Sequence, residues 1–245
     1  NKNRLRLAVD IGGTFTDTVL VDGRGQILAT TKTPTTPNNP TLGALDGARR
    51  VLAEAGVDWS QIDGFIHGTT LATNALIERR GAVVATVTTE GFRDILEIAY
   101  ERRYSQYDIN LVKPDLIVPR SRAFTIRGRI DARGRELEPL DEESLARLVE
   151  DLTASGAEAV AICLMHAYAN PAHELRLRDL LQARMPDLVI SLSHEVSPEA
   201  REFERLSTTI ANAYIQPQMA SYLADFQGRF SDKGLTCPIL MMTAG

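Results

Sequence analysis

In the stretch "AVDIGGTFTDTVLVDGRGQIL", residues 8–28, Asp10, Gly12, Gly13, Thr14, Thr16 and Asp17 crowd one tight turn between two apolar runs. Glycine at 12 and 13 permits backbone angles and a close approach that a Cβ blocks. Successive N–H groups in such a turn form a concavity for anions, phosphate above all. Thr14 and Thr16 add hydroxyl donors. Asp10, at the end of the first strand, offers the hard oxygen that Mg²⁺ prefers, directly or through a water. A phosphate cradle beside a metal-binding carboxylate is an arrangement for phosphoryl transfer. The same residues also read as a plain hairpin with Gly-Gly in its turn. Two familiar phosphate loops are excluded. No glycine-lysine-serine or glycine-lysine-threonine is present for a P-loop, and the glycines lead into an alternating strand rather than a dinucleotide-binding helix.

"HGTTLATNAL" places His67, Thr69 and Thr70 at a strand end before a helix N-terminus, a position suited to an anion or a reacting oxygen. Either His67 moves a proton or orients substrate, or it satisfies a local carbonyl while the threonines cap the helix. His166, His173, Glu174, His194 and Glu195 match no standard metal spacing and read as structural. Glu199, Arg201, Glu202, Glu204 and Arg205 read as a solvated helix face. "YERRYSQYDINLVKP" mixes arginine and tyrosine and reads as a partner-facing or lid loop.

These residues need a scaffold. Strands are expected over 5–11, 15–22 and 26–33, the last two joined by "DGRG", then a helix over 41–55 ended by Gly56. "GFIHG" reads as a short strand, "TTLATNALIERR" as a helix closed by Gly81, "AVVATVTT" as a strand and "GFRDILEIAYERR" as a helix. Residues 101–140 are an irregular insertion with a hairpin in "FTIRGRIDARGREL". Asp141 then caps a helix, "EAVAICLMHAY" is a buried strand, and Asn170-Pro171 starts a helix as N-cap and N1. "LVISLSHEV" is a strand, and Ser197-Pro198 opens a long helix.

With 245 residues the chain can bury a large core. Its net charge of −5, interspersed, advertises no nucleic-acid partner, and its longest apolar run, "AVAICLM", is too short to span a membrane. Cys163 and Cys237 make no disulfide framework, which suits a reducing, cytoplasmic setting. The chain opens without methionine and stops where an apolar strand meets a glycine, so we expect a piece of a longer protein.

"DIGGT" on a strand-turn-strand resembles the phosphate-1 motif of the actin, hexokinase and heat-shock-ATPase superfamily. "VDIGGTFTDTVLVD", "HGTTLATNALIERRGA", "TTEGFRDILEI", "AICLMHAYANPAHE", "SHEVSPEAREFERLSTTIANAYIQP" and "MMTAG" resemble, in order, the hydantoinase A / 5-oxoprolinase family. That resemblance implies an α/β fold of the actin/hexokinase-like (ribonuclease H-like) type, with a mixed sheet, packed helices and a second domain only begun. It divides the chain into an N-terminal domain, 1–196, and the start of a second, 197–245. It implies ATP and Mg²⁺ as cofactors and a cyclic amide as substrate, of hydantoin or 5-oxoproline type, phosphorylated on its carbonyl oxygen. A ketone-carboxylase subunit, a non-catalytic nucleotide-binding or assembly module and a sugar kinase are the alternatives. A B-type hydantoinase subunit is the implied partner. Asp10 and Thr14 would be catalytic, and Asp10 and Asp17 would hold the metal. The nucleotide would meet Gly12, Gly13, Thr14, Phe15, Thr16 and Gly245, with N–H groups of residues 12–14 on the β- and γ-phosphates. His67, Thr69, Thr70 and Asn74 would lie on the substrate side. With the second domain only begun, the chain alone is expected to be inactive.

Overall fold

The computed structural model describes residues 4–36, 39–100 and 107–242. Two compact units divide the chain: residues 1–78 with 218–245, and residues 79–217.

In the first unit, Leu5–Ile11 (β1) and Phe15–Val21 (β2) alternate buried and more exposed side chains, as strands with one core face do. Asp22 turns β2 into Ile27–Pro34 (β3): its Oδ1 accepts N–H groups from Arg24 at 2.8 Å and Gln26 at 2.9 Å. Those bonds, that of Gln26 foremost, hold the Asp22 carboxyl below its ordinary pKa. Gly25, at φ +82°, supplies the left-handed residue of the turn. Pro40–Ala55 (α1) starts on a proline and ends at Gly56, whose φ of +66° stops it. Ile62–Thr69 (β4) and Ile239–Met241 (β11) complete a sheet of order β11–β4–β1–β2–β3. β1, β4 and β11 are parallel, whereas β1, β2 and β3 are antiparallel. This is the mixed sheet, with the hairpin of the glycine turn inside it, that the sequence led us to expect. Its core face buries Leu7, Val9, Ile11 and Leu20 with Ala44, Ala48 and Val51 of α1. Phe65 meets Phe226 and Phe230 edge-on within the same core.

The second unit is built on Val84–Thr89 (β5), Ala123–Ile126 (β6), Ala159–Cys163 (β9) and Val189–Leu192 (β10), all parallel in the order β10–β9–β5–β6. β5 and β9 are buried along their whole length, which explains why both read as unbroken apolar or β-branched runs. Leu145–Ala154 (α4) and Ala172–Gln182 (α5) pack Leu145, Leu148, Leu152, Leu177 and Leu181 into its core. Glu202–Asp232 (α7), with Pro217 inside it, contributes its first half to this unit and its second half to the other. Cys163 is a buried free thiol whose pKa burial pushes up to about 11, and Cys237 is a half-buried one.

Several expected boundaries shift. The helix after "HGTT" covers only Leu71–Ile77 (α2), and the chain leaves it through Arg79 at φ 57°, not at Gly81. The helix expected from "GFRDILEIAYERR" shrinks to Ile95–Ile98 (α3), cut off by Ala99 at φ 47°; its last residues lie outside the described ones. The hairpin expected in "FTIRGRIDARGREL" forms over its second part only. β6 pairs in parallel with β5, and only Arg129–Ile130 (β7) and Glu136–Glu138 (β8) pair antiparallel. Asp141 takes the N–H of Glu143, and α4 begins later, at Leu145. α5 starts at Ala172, whose N–H bonds Asn170 Oδ1, so Asn170 serves the expected end one residue early. "SHEV" leaves the strand as a helical turn, Ser193–Val196 (α6). The long helix starts at Glu202 rather than Ser197, and ahead of it the Glu199 carbonyl accepts from Arg205 Nη1 at 2.5 Å instead of from a helical N–H. Among the described residues no helix is long and apolar enough to cross a membrane.

Gly81 has a reason other than stopping a helix. A Cβ there would lie 2.4 Å from the Tyr214 ring and 2.6 Å from the Tyr214 carbonyl oxygen. We expect Gly81→Ala to destabilise the protein by about 1–3 kcal/mol, as overpacking does. Chemical denaturation measures it, and an unchanged midpoint would refute the clash.

Candidate functional site

The β1–β2 turn is closed by Gly12 N–H donating to the Phe15 carbonyl at 3.0 Å. A Cβ on Gly12 would meet that same oxygen at 3.0 Å, and one on Gly13 would meet Asn74 Nδ2 at 3.4 Å. Neither glycine has a positive φ, so close approach is what the turn requires of them. The Gly12 N–H, expected among the phosphate donors, is therefore occupied inside the hairpin. The N–H groups of Gly13 and Thr14 have no partner among the described residues, and both residues are exposed. They are the donors the turn presents.

Thr35 braces the turn from the end of β3. Its N–H donates to the Thr14 carbonyl at 2.9 Å and its hydroxyl to the Gly12 carbonyl at 2.8 Å. With that proton committed, the 3.0 Å contact between the Thr16 and Thr35 hydroxyls has Thr16 as donor. Thr16 is fully buried beneath the turn, so its hydroxyl supports the loop from the core side. Strand alternation carries this information, since Thr16 and Asp17 must point to opposite faces.

On the other face, register aligns one row across four strands. Asp10 pairs with Gly68 on β4 and with Asp17 on β2, and Asp17 pairs with Lys32 on β3. A Cβ on Gly68 would come within 2.9 Å of Asp10 Oδ1, so glycine makes room for that carboxylate. Directly opposed aspartates repel. Lys32 relieves this by an ion pair to Asp17 at 3.2 Å, while it also lies over the Phe15 ring at 5.4 Å. Asp10 has no ion-pair partner among the described residues. It is exposed, at the carboxyl end of β1 beside the unpaired N–H groups.

The carboxyl ends of β1, β4 and β11 share this edge, where α/β sheets bind ligands. Thr70 N–H donates to the Ile11 carbonyl at 3.2 Å, which ties the start of α2 to the end of β1. Thr69 Oγ1 accepts from Leu71 N–H, and Asn74 Nδ2 donates to Thr70 Oγ1. Thr69, Thr70 and Asn74 thus gather beside the turn. Gly245 lies outside the described residues. No group of three or more metal-ligating side chains occurs among the described residues, yet Mg²⁺ commonly takes one or two carboxylates and fills its shell with phosphate and water. A free Asp10 beside unpaired N–H donors fits that demand.

His67 is placed otherwise. It is fully buried, with Nδ1 3.2 Å from the Val9 carbonyl, Nε2 2.7 Å from the Tyr222 hydroxyl and its ring stacked on Phe226. The carbonyl only accepts, so Nδ1 carries the proton and Tyr222 donates to Nε2. Of the two readings open for His67, the geometry selects the local carbonyl. Burial, above all, lowers its pKa, and it raises that of Tyr222.

The hydantoinase/oxoprolinase N-terminal region matches residues 6–185. The chain belongs to that family. Among its relatives, the caprolactamase alpha subunit of Pseudomonas jessenii is 36% identical over 97% of this chain and 35% of its own length. The crystal structure of the ATP-dependent caprolactamase from that organism superposes with a TM-score of 0.86, at 35% identity over 96% of this chain and 35% of that one. The acetophenone carboxylase gamma subunit of Aromatoleum aromaticum is 31% identical over 96% of this chain and 34% of its length. 5-Oxoprolinase 1 of Arabidopsis thaliana is 30% identical over 94% of this chain and 20% of its length. The chain thus spans about a third or less of these relatives' lengths.

The buried His67 makes a pH prediction. Its folded pKa is lowered, so the unfolded chain binds the proton first as pH falls below the ordinary histidine value of about 6.5. The stability it contributes is complete above that value and is lost progressively below it. We expect a thermal midpoint that falls between about pH 7 and about pH 5.5, with a shallower fall in His67→Gln. Equal slopes in the two proteins would remove His67 as the cause.

Proposed function

We propose that this chain carries the phosphate-gripping part of an ATP-dependent enzyme that activates a cyclic amide by phosphorylating its carbonyl oxygen. The observation that carries this is the unpaired Asp10 carboxylate, given room by Gly68, beside the unpaired N–H groups of Gly13 and Thr14. Family membership and likeness to lactam-cleaving relatives support the substrate class. ATP supplies the terminal phosphoryl group, and attack by the amide oxygen on that phosphorus breaks its bond to the departing ADP. Asp10 holds Mg²⁺, while Gly13 and Thr14 donate N–H groups to phosphate oxygens and the Thr14 hydroxyl adds a further donor. The ion pair with Lys32 leaves Asp17 the secondary metal candidate. Gly12 shapes the turn rather than binding through its N–H. Thr69, Thr70 and Asn74 form the neighbouring polar surface. Residues 1–196 act as the family's N-terminal domain, and residues from 197 open the next. A further subunit, of B type, completes the enzyme, in keeping with relatives that are themselves named as subunits. Likeness to acetophenone carboxylase favours a second reading, in which the phosphorylated group is a ketone's enol oxygen.

Asp10→Asn in the full-length protein with its partner tests the assignment. A neutral amide is a poor Mg²⁺ ligand, so we expect lactam-stimulated ATP hydrolysis to fall about 100-fold or more with an unchanged thermal midpoint. Gly68→Ala, by crowding the same carboxylate, is expected to act in the same direction. Wild-type turnover in Asp10→Asn would reject the role. Stimulation by ketones and not by lactams would select the second reading.

A further inference from the structure

The second unit surrounds one imidazole with costly structure. Glu174 is fully buried and accepts four hydrogen bonds: from Leu164 N–H at 2.9 Å, Ser193 Oγ at 2.6 Å, His194 N–H at 3.1 Å and His194 Nδ1 at 2.7 Å. Arg205, also fully buried, reaches Ser193 Oγ at 3.1 Å and the Leu164 carbonyl at 3.2 Å. Its guanidinium lies over the Tyr168 ring at 5.3 Å. The Tyr168 hydroxyl in turn is 3.2 Å from His166 Nδ1. Buried charges persist only when their neighbours satisfy them, and here the series ends on a half-buried side chain.

His166 is itself strained. Its φ is 57°, a region disfavoured for residues with a Cβ. The surrounding turn holds it there, because its carbonyl accepts N–H groups from both Ala169 and Asn170. Met165 N–H is anchored to Thr89 Oγ1 at 3.0 Å, across the ends of β9 and β5. Backbone strain of this kind gathers at functional sites. The other histidines are committed: His67 in the first unit's core, His173 to Glu136 at 3.0 Å, and His194 to Glu174. His166 Nε2 has no partner among the described residues, and it is absent from their buried unpaired atoms, so it reaches the surface.

We propose that the carboxyl rim of the second unit's parallel sheet binds a carbonyl compound through His166 Nε2. Ligands of parallel sheets sit outside the carboxyl ends of the strands, and His166 is three residues past the end of β9. With the Tyr168 hydroxyl as donor to Nδ1, the proton of a neutral imidazole sits on Nε2. That N–H suits the carbonyl oxygen of a lactam or ketone. The ligand class rests on the function proposed above; the imidazole's placement does not.

Two substitutions separate a ligand contact from a structural role. Asparagine reproduces the Nδ1 position and tolerates a left-handed backbone, whereas glutamine reproduces Nε2. In the full-length protein, titrated with caprolactam and 5-oxoproline by ligand-detected NMR, we expect His166→Asn to keep the thermal midpoint but bind about tenfold more weakly. His166→Gln should remain within about threefold of wild type. In the wild-type protein, diethylpyrocarbonate should acylate His166, and either lactam at saturation should slow that reaction. Binding by His166→Asn within twofold of wild type, or absence of lactam protection, overturns the proposal. Protection without lactam-stimulated ATP hydrolysis would sustain the binding site and count against the proposed function. Turnover without protection would do the reverse.

Discussion

One hydrogen bond, from Gly12 N–H to the Phe15 carbonyl, determines which donors the β1–β2 turn presents. It draws Gly12 into the hairpin and leaves Gly13 and Thr14 as the two residues of the tip. Thr35 then satisfies the carbonyls of Gly12 and Thr14 from behind, so the tip is held from the core side and bare on the other. An anion site needs donors that are fixed before the anion arrives, because donors that must first leave other partners give back much of what they gain. In the function proposed above, the bracing of this loop therefore matters as much as the glycines do.

Parallel pairing supplies the second constraint. The register that sets Val9 against His67 and Ile11 against Thr69 also sets Asp10 against Gly68. The same pairing thus builds the core on one face and clears space for a carboxylate on the other. A slip of β4 by one residue would carry its side chains to the opposite faces, exposing His67 and taking Gly68 from beside Asp10. Tyr222, on α7, guards against this by bonding His67 only in the observed register.

Local signals were the legible ones. "DGRGQ" and "DARGR" both read as turns, and both fold alike: Asp22 and Asp131 each accept N–H groups from two and four residues ahead, with glycine in the left-handed position. The mixed fold and the position of the glycine turn between β1 and β2 were likewise readable, since they rest on alternation and glycine placement within a few residues. Tertiary bonds defeated the reading elsewhere. Nothing near residue 67 announces Tyr222, and nothing near Ser197 announces that the Glu199 carbonyl will bond the Arg205 side chain. The strand in "LVISLSHEV" ends early because Ser193 and His194 turn toward Glu174, twenty residues or so before them. Gly68 was visible as a letter, but its purpose depends on a carboxylate 58 residues away.

The two free thiols divide between the units, Cys237 in the first and Cys163 in the second. Burial raises both thiol pKa values, and Cys163, at about 11, is almost wholly protonated near neutrality. Only the thiolate reacts readily, so modification of Cys163 must wait for its surroundings to open. The chain therefore carries its own gauge of local unfolding. The rate at which a thiol reagent reaches Cys163 reports how often the second unit's sheet comes apart, without any label having to be introduced.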